Sequence, residues 1–434
     1  PRSDAANVIT RRRATTRGTM PAAPSGSNAT ASDVIDVAVD VDARATQRAF
    51  RLARAGIRSM VERYFQNNAA AQAACAELLK RSGADMSVYA NVDAVVREIP
   101  LDHLAFRTFG MEDLGIEGVC EMFEAAGYAT VSEEEHPGAV LEFPEKHVRA
   151  RWMRPPSTPE GEVPLPRIFV SELVVDECEP DLRDALKEIM SRVREGDVVT
   201  SGEWAEGRNA RWQLPTASQY GRVQRLSEYA SWTLLHGYAV NHAAVSLFQL
   251  KKKYPGTPVR SLEDVEELFA EHPMLGKRRW NDAGGRIKRS ASGDLLQSSL
   301  MAEPHKFNLF KNVEKVVSRY GSHDFEEVFK LYSLPGSYIE FVERLPRPEN
   351  ADKAFEDLEE VDLRDGFESA SANKIFDSTS TYNIGGGSRL GAAQDAAHGA
   401  APSHGAEKQR KFKPSSMAPT VAGAASEGRG AQAP

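Results

Sequence analysis

The hydrophobic pattern changes period along the chain. Phe50, Ile57, Met60, Val61, Tyr64 and Phe65 recur at the spacing of one helix face with arginines between them, so residues 45–66 are predicted to form an amphipathic helix. Residues 69–81 read as a second helix, ended before Gly83, and residues 93–99 as a short one stopped by Pro100. The period then falls to two. His103-Leu104-Ala105-Phe106-Arg107-Thr108-Phe109 alternates as a strand, followed by a helix over 116–126 that Gly127 closes and a strand over 127–131. Further strands are predicted at 139–143, 149–153, 167–175, 238–247, 285–287, 295–298 and 337–345. Residues 155–166 form a proline-rich loop, residues 180–230 read as mainly helical, and Ser261-Leu262-Glu263-Asp264 announces a helix over 261–270. Helices interleaved with short, often antiparallel strands predict an α+β fold on a bent mixed or antiparallel sheet with added helices. No tandem repeat is visible residue by residue, but a diverged strand-helix-strand-strand-strand unit used twice is compatible with the pattern.

The two ends differ from this core. Arg2, Arg11, Arg12, Arg13 and Arg17 lie among Ser, Thr, Ala and Gly, and Asp4 is the only acid before Asp33. That composition suits an organellar transit peptide or a disordered tail, and sets residues 1–40 apart. From Ile384 onward Gly, Ala, Ser and Pro dominate, too little apolar surface to offset chain entropy. A core over 41–383 and a disordered tail over 384–434 follow. Across 434 residues, 54 Lys+Arg against 62 Asp+Glu give a net charge of −8, which argues against a dedicated nucleic-acid binder. No run of 18 or more apolar residues suggests a membrane span. Three scattered cysteines, Cys75, Cys120 and Cys178, build neither a disulfide framework nor a zinc knuckle, and suit a reducing compartment.

The chemistry narrows by elimination. No phosphate-cradling GxxxxGK[ST] occurs, no GxGxxG joins a strand to a helix, and there is no Gly-x-Ser-x-Gly nucleophile elbow. Of ten histidines, His398 and His404 lie in the tail. His136, His272 and His305 border prolines in loops, His147 and His323 read as exposed, and His236 as a hydrogen-bonded residue at the edge of the core. His103 and His242 remain, each inside an apolar strand pattern. Alternation puts His103, Ala105 and Arg107 on one strand face, with the outer two α-carbons about 13 Å apart. A metal on the imidazole and a carboxylate on the guanidinium would bracket a small diacid over Ala105. His242, Ala244 and Ser246 likewise share a face. Glu340 is a carboxylate set among apolar neighbours, where an unpaired charge would be costly. Two imidazoles and one carboxylate form the facial triad that holds non-haem Fe(II) with coordination positions open. The same residues also admit plainer roles: core histidines, a Glu340–Arg344 pair, a surface Arg107.

At these segments the chain resembles the 2-oxoadipate dioxygenase/decarboxylase family, including its plastid members in plants. The resemblance lies in Asp102-His103-Leu104-Ala105-Phe106-Arg107-Thr108, Arg167-Ile168-Phe169-Val170-Ser171-Glu172-Leu173 and His236-Gly237-Tyr238-Ala239-Val240-Asn241-His242. It continues through Asn281-Asp282-Ala283-Gly284-Gly285, Leu295-Leu296-Gln297-Ser298-Ser299 and Pro335-Gly336-Ser337-Tyr338-Ile339-Glu340-Phe341, spanning roughly 45–383. It implies a fold of the vicinal-oxygen-chelate type and an Fe(II) enzyme turning 2-oxoadipate and O2 into 2-hydroxyglutarate and CO2, in lysine catabolism. Carried over, the metal ligands are His103, His242 and Glu340, and Arg107 holds a substrate carboxylate. The segment from Gly366 to Phe376 resembles a turn whose backbone meets substrate, which places Ala370 and Ser371 at the contact. Here the chain departs from the family, which has a larger aliphatic residue at Ala370 and a glycine near Lys374; Ser299–Glu303 differs too. The implied partners are a 2-oxo dicarboxylic acid and O2, with neither nucleic acid nor membrane. The implied compartment is the chloroplast, with mitochondrion or cytoplasm as alternatives. Two other readings stand beside this one: a metal-dependent isomerase or lyase on the same fold, and a non-catalytic regulatory or scaffold protein of plastid metabolism.

Overall fold

A computed structural model of the chain describes residues 31–369, apart from 90–93, 95–96, 113, 192–211, 213, 278–279, 282–284, 302–303, 311–328 and 336–337. The helix predicted over 93–99 falls partly outside the described residues, and its described end, 97–99, is a turn; the expected tail over 384–434, His323, Ala370 and Ser371 lie outside the described residues. Helix α1 (Ala31–Gln66) buries Phe50, Ile57, Val61, Tyr64 and Phe65, the apolar stripe expected of it. It starts at Ala31, inside the segment set apart by composition, where acids alternating with Val and Ile show no helical stripe. Helix α2 (Ala69–Arg81) packs Ala70, Ala71, Ala74, Cys75, Leu78 and Leu79 inward.

The α/β core then follows in chain order. It comprises β1 (Leu101–Phe109), α3 (Ile116–Glu124), β2 (Ala129–Thr130), β3 (Val140–Phe143), β4 (Val148–Arg154) and β5 (Arg167–Leu173). Next come α4 (Pro180–Met190), α5 (Ala217–Leu226), α6 (Glu228–His236), β6 (His242–Ser246), α7 (Leu247–Lys253) and α8 (Leu262–Glu271). Five strands close it: β7 (Lys288–Arg289), β8 (Leu295–Met301), β9 (Pro304–Phe310), β10 (Phe329–Pro335) and β11 (Tyr338–Arg344). The strand predicted over 238–247 is shorter, because Gly237 leaves α6 at φ +58 and only His242–Ser246 pairs with β1. Ser246 caps α7 instead of continuing the strand: its hydroxyl accepts the Gln249 N–H at 3.2 Å. The strand predicted over 285–287 forms at Lys288–Arg289. The paired β9 and β10 went unpredicted although Phe307 and Leu309 alternate with polar residues.

Nine strands form one mixed sheet in the order β2-β4-β5-β1-β6-β11-β8-β7, with β3 beside β4. This is the expected α+β class. Two pairs are parallel, β1 with β5 and β6 with β11; the others are antiparallel. The β1–β6 seam has a local twofold character. His103 lies opposite Ala244, Leu104 opposite Ala243 and Ala105 opposite His242, so the pairing is centred on Leu104 and Ala243 and interchanges the two histidines. Each half reads strand, helix, strand, strand, strand: β1, α3, β2, β4, β5 and β6, α7–α8, β7, β8, β11. The repeat that residue comparison misses is therefore present in the topology.

Every residue of β1 after Leu101 is buried. Phe106 packs on Phe123 of α3, ring centroids 5.2 Å apart, and burial of such a side chain contributes about 1.5–3 kcal/mol. Beyond β11 the chain returns over the sheet. Asp365 accepts hydrogen bonds from Arg154 of β4 and Arg167 of β5, each at 3.0 Å, and Arg167 also donates to Glu360 at 3.0 Å. Burial pushes the Asp365 carboxyl up, but the Arg167 charge, the Gly366 N–H and Arg154 outweigh it and hold the group at about 2. A depressed folded-state value means stability that is complete above the unfolded value and lost as pH falls through the folded one. Asp365→Asn is therefore expected to cost about 1–2 kcal/mol at neutral pH after allowance for partial exposure. The difference between the two proteins' urea midpoints, measured from pH 7 to pH 2.5, should begin to shrink below about pH 4 and be much reduced at pH 2.5; a difference that stays constant would contradict this assignment.

Candidate metal centre

The seam fixes the site. His103 of β1 and His242 of β6 face each other across it with their Nε2 atoms 3.2 Å apart, and Glu340 of β11 completes the group. Glu340 Oε2 lies 3.3 Å from His242 Nε2 and 3.9 Å from His103 Nε2. All three side chains are buried, Glu340 completely. Parallel pairing sets Glu340 opposite Ala244, whose small side chain leaves room for the carboxylate. Three ligands on one face of an octahedral cation with bonds of about 2.1 Å would stand about 3 Å apart, close to the separations seen.

Hydrogen bonds turn the donor atoms toward that point. His103 Nδ1 lies 2.8 Å from Asp102 Oδ1 and His242 Nδ1 lies 3.3 Å from Asn241 Oδ1. With those protons on Nδ1, both Nε2 lone pairs face the centre. Gln297 Nε2 donates to Glu340 Oε1 at 2.5 Å, and Oε2 accepts no hydrogen bond. A buried carboxylate oxygen left this way is costly unless a cation meets it, and here it aims at two imidazole nitrogens. Burial pushes Glu340 above the ordinary carboxylate value, and burial with repulsion from His103 and Arg107 holds His242 well below the ordinary imidazole value. Burial also raises the Asp102 carboxyl, but Arg344, the His103 hydrogen bond and Arg167 prevail and keep it well below its usual range. A neutral His242, an ionised Asp102 behind His103 and a carboxylate short of a partner make a group that could hold a divalent cation.

A small, partly open cavity runs from His103 over Ala105 to Arg107. Phe169 of β5 sits opposite Ala105 and Ser171 opposite Arg107. The register also explains the open side of the centre. The local twofold that interchanges His103 and His242 carries Glu340, opposite Ala244, onto Phe169, opposite Ala105. Phenylalanine cannot ligate, so the fourth strand leaves its place to the cavity. Arg107 is buried, with its guanidinium 4.8 Å from the Tyr229 ring centroid and 5.3 Å from that of Trp232, both on α6. Tyr229 Oη and Ser171 Oγ are 2.9 Å apart beside it.

The sequence profile of the 2-oxoadipate dioxygenase/decarboxylase family matches residues 57–362. The chain belongs to the 2-oxoadipate dioxygenase/decarboxylase family. It is 35% identical over 294 residues to the chloroplastic/amyloplastic 2-oxoadipate dioxygenase/decarboxylase of Oryza sativa subsp. japonica, covering 65% of this chain and 70% of that one. It is 34% identical over 289 residues to the chloroplastic 2-oxoadipate dioxygenase/decarboxylase of Arabidopsis thaliana, covering 65% and 69%. The crystal structure of the hydroxyglutarate synthase in complex with 2-oxoadipate from Oryza sativa superposes with a TM-score of 0.59 at 30% identity, covering 84% of this chain and 98% of that one.

For this member of the 2-oxoadipate dioxygenase/decarboxylase family, the four residues singled out inside strands come together. His103, His242 and Glu340 converge, and Arg107 closes the far end of the same cavity. Glu340 is not paired with Arg344, one of the plainer readings: Arg344 bonds Asp102 instead. Nor is Arg107 a surface residue. His236 is buried and stacks on Trp232 at 4.2 Å, and His136 packs against Trp152 at 5.4 Å, more enclosed than a free loop. Sequence reasoning missed Asp102, Asn241 and Gln297, which orient the three converging groups, and Phe169 and Phe367, which wall the cavity. The first two were visible as polar neighbours of the histidines inside apolar strands; the others left no signal. Glu340→Ala should weaken Co(II) binding, measured by calorimetry on metal-stripped protein, well beyond the about 10–100-fold that loss of an outer-shell partner costs. Retained affinity would remove Glu340 from the donor set.

Proposed function

We propose that this chain is a mononuclear Fe(II) enzyme that consumes 2-oxoadipate and O2 and releases 2-hydroxyglutarate and CO2, with His103, His242 and Glu340 as ligands. The observation that carries the reading is the buried Glu340 oxygen that accepts no hydrogen bond and points at two imidazole nitrogens. Two nitrogens and one oxygen, without a cysteine among them, suit Fe(II). When bound, Fe(II) supplies a Lewis acid for the 2-oxo acid end of the substrate and the electrons that make O2 reactive.

The protein's own part is orientation and exclusion of water. Arg107 binds the distal carboxylate through two parallel N–H donors, held from behind by Tyr229 and Trp232. Ala105 leaves space for the methylene chain between the two ends. Phe169 and Phe367 keep that stretch dry, so the reacting end is shielded from solvent. The substrate carries its own oxo acid, so no separate 2-oxo acid is needed. Ala370 and Ser371 would meet the substrate through their backbone; Phe367, three residues earlier, already lines the cavity, which supports that placement.

A plastid is the proposed compartment. The arginine-rich, acid-poor start of the chain and the chloroplast relatives in rice and Arabidopsis support it. Among the described residues no helix is long and apolar enough to cross a membrane.

Protein loaded anaerobically with Fe(II) should take up O2 only when 2-oxoadipate is added, with one CO2 released per O2 consumed. Turnover without O2 would favour an isomerase or lyase, and metal-replete protein without turnover a regulatory role. Arg107→Lys should raise KM for 2-oxoadipate roughly 10- to 100-fold while bound iron, measured by elemental analysis, stays unchanged. Loss of iron in that variant would mean that Arg107 serves the metal end.

A further inference from the structure

Arg344 ends β11 four residues after Glu340, on the same strand face. Its guanidinium, 4% exposed, joins three parts of the molecule. Nε donates to Asp102 Oδ2 at 2.7 Å and Nη2 to Asp102 Oδ1 at 2.9 Å, a two-pronged pair behind His103. Nη1 donates to the carbonyls of Gly366 at 2.7 Å and Arg364 at 3.2 Å. The same Asp102 Oδ1 takes the His103 Nδ1 bond. Phe367, next along that returning segment, lies with its centroid 5.4 Å from the guanidinium carbon and meets the His103 ring edge-on at 4.9 Å. His103 is thus fixed at Nδ1 and on its flank by groups that Arg344 holds. The segment has little freedom to adjust. Gly366 sits at φ +73, and a Cβ there would come within 2.9 Å of the His136 imidazole and 3.1 Å of the Trp152 ring.

We infer that Arg344 is a positioning residue that couples the aim of His103 to the seating of residues 364–367 over the substrate cavity. Metal affinity and substrate affinity then depend on one guanidinium that touches neither ligand. Lysine cannot replace it, because a single ammonium on a flexible stem cannot grip a carboxylate with two prongs and reach two carbonyls as well. The inference rests on the metal reading of His103, His242 and Glu340.

The test uses the full chain, stripped of metal and titrated with Co(II). Arg344→Lys should keep the far-ultraviolet circular dichroism of the parent, bind Co(II) about 10–100-fold more weakly and shift the visible Co(II) spectrum. With Fe(II) at saturation, the same variant should show a raised KM for 2-oxoadipate. Asp102→Asn should reproduce the Co(II) loss, and the double variant should bind no more weakly than the poorer single one, since both break one linkage. If Arg344→Lys does not fold, Phe367→Leu carries the test: it should weaken Co(II) binding several-fold and raise KM. Parent-like Co(II) affinity and spectrum in folded Arg344→Lys would overturn the inference, as would a parent-like KM for 2-oxoadipate in that variant at saturating Fe(II). A wild-type protein that takes up no Co(II) would overturn the metal reading itself, and the inference with it.

Discussion

Antiparallel pairing of β1 with β6, centred on Leu104 and Ala243, is the constraint on which the rest depends. A one-residue slip of either strand would turn its histidine to the opposite sheet face and put Asp102 or Leu104 of β1, or Asn241 or Ala243 of β6, in its place. The register is well protected. Both faces of β1 are buried, and the parallel neighbours β5 and β11 lock each seam strand from its other side. Facing imidazoles are thus a consequence of backbone pairing, and the carboxylate arrives because β11 repeats on β6 what β5 does on β1.

Near-symmetry also explains why the centre is one-sided. A fully symmetric pair of halves would offer four ligating side chains around a point. Here one of the four places is held by Phe169, and the cavity occupies that direction. The divergence that hides the repeat from residue comparison is the same divergence that separates the side carrying the three converging groups from the side carrying the cavity. Along β1 the division of labour is compressed into five residues: an imidazole, a small spacer and a guanidinium on one face.

Much of this was legible in the sequence, for a physical reason. Charged or polar side chains inside apolar strands are expensive, so His103, Arg107, His242 and Glu340 stood out against their neighbours. Period-two patterning placed β1, β4, β5 and β11 to within two residues at each end. What stayed hidden were contacts between distant segments: Arg344 with Asp102, Gln297 with Glu340, Phe367 with His103. Glu340 and Arg344 share a strand, and a local reading pairs them with each other; the fold gives each a partner from elsewhere. Boundaries failed where a helix lacked a clean stripe, as at the start of α1, or where a cap ended a strand early, as at Ser246.

The order in which the three converging side chains occur along the polypeptide has a consequence for biogenesis. His103 leaves the ribosome early, His242 after four strand pairings (β1–β5, β2–β4, β3–β4 and β4–β5) have become possible, and Glu340 only when the last strand of the sheet has been made. On the proposed ligand set, an incomplete nascent chain would offer a cation two imidazoles and no carboxylate, so loading would follow completion of synthesis, and a chain truncated before β11 would lack the third ligand.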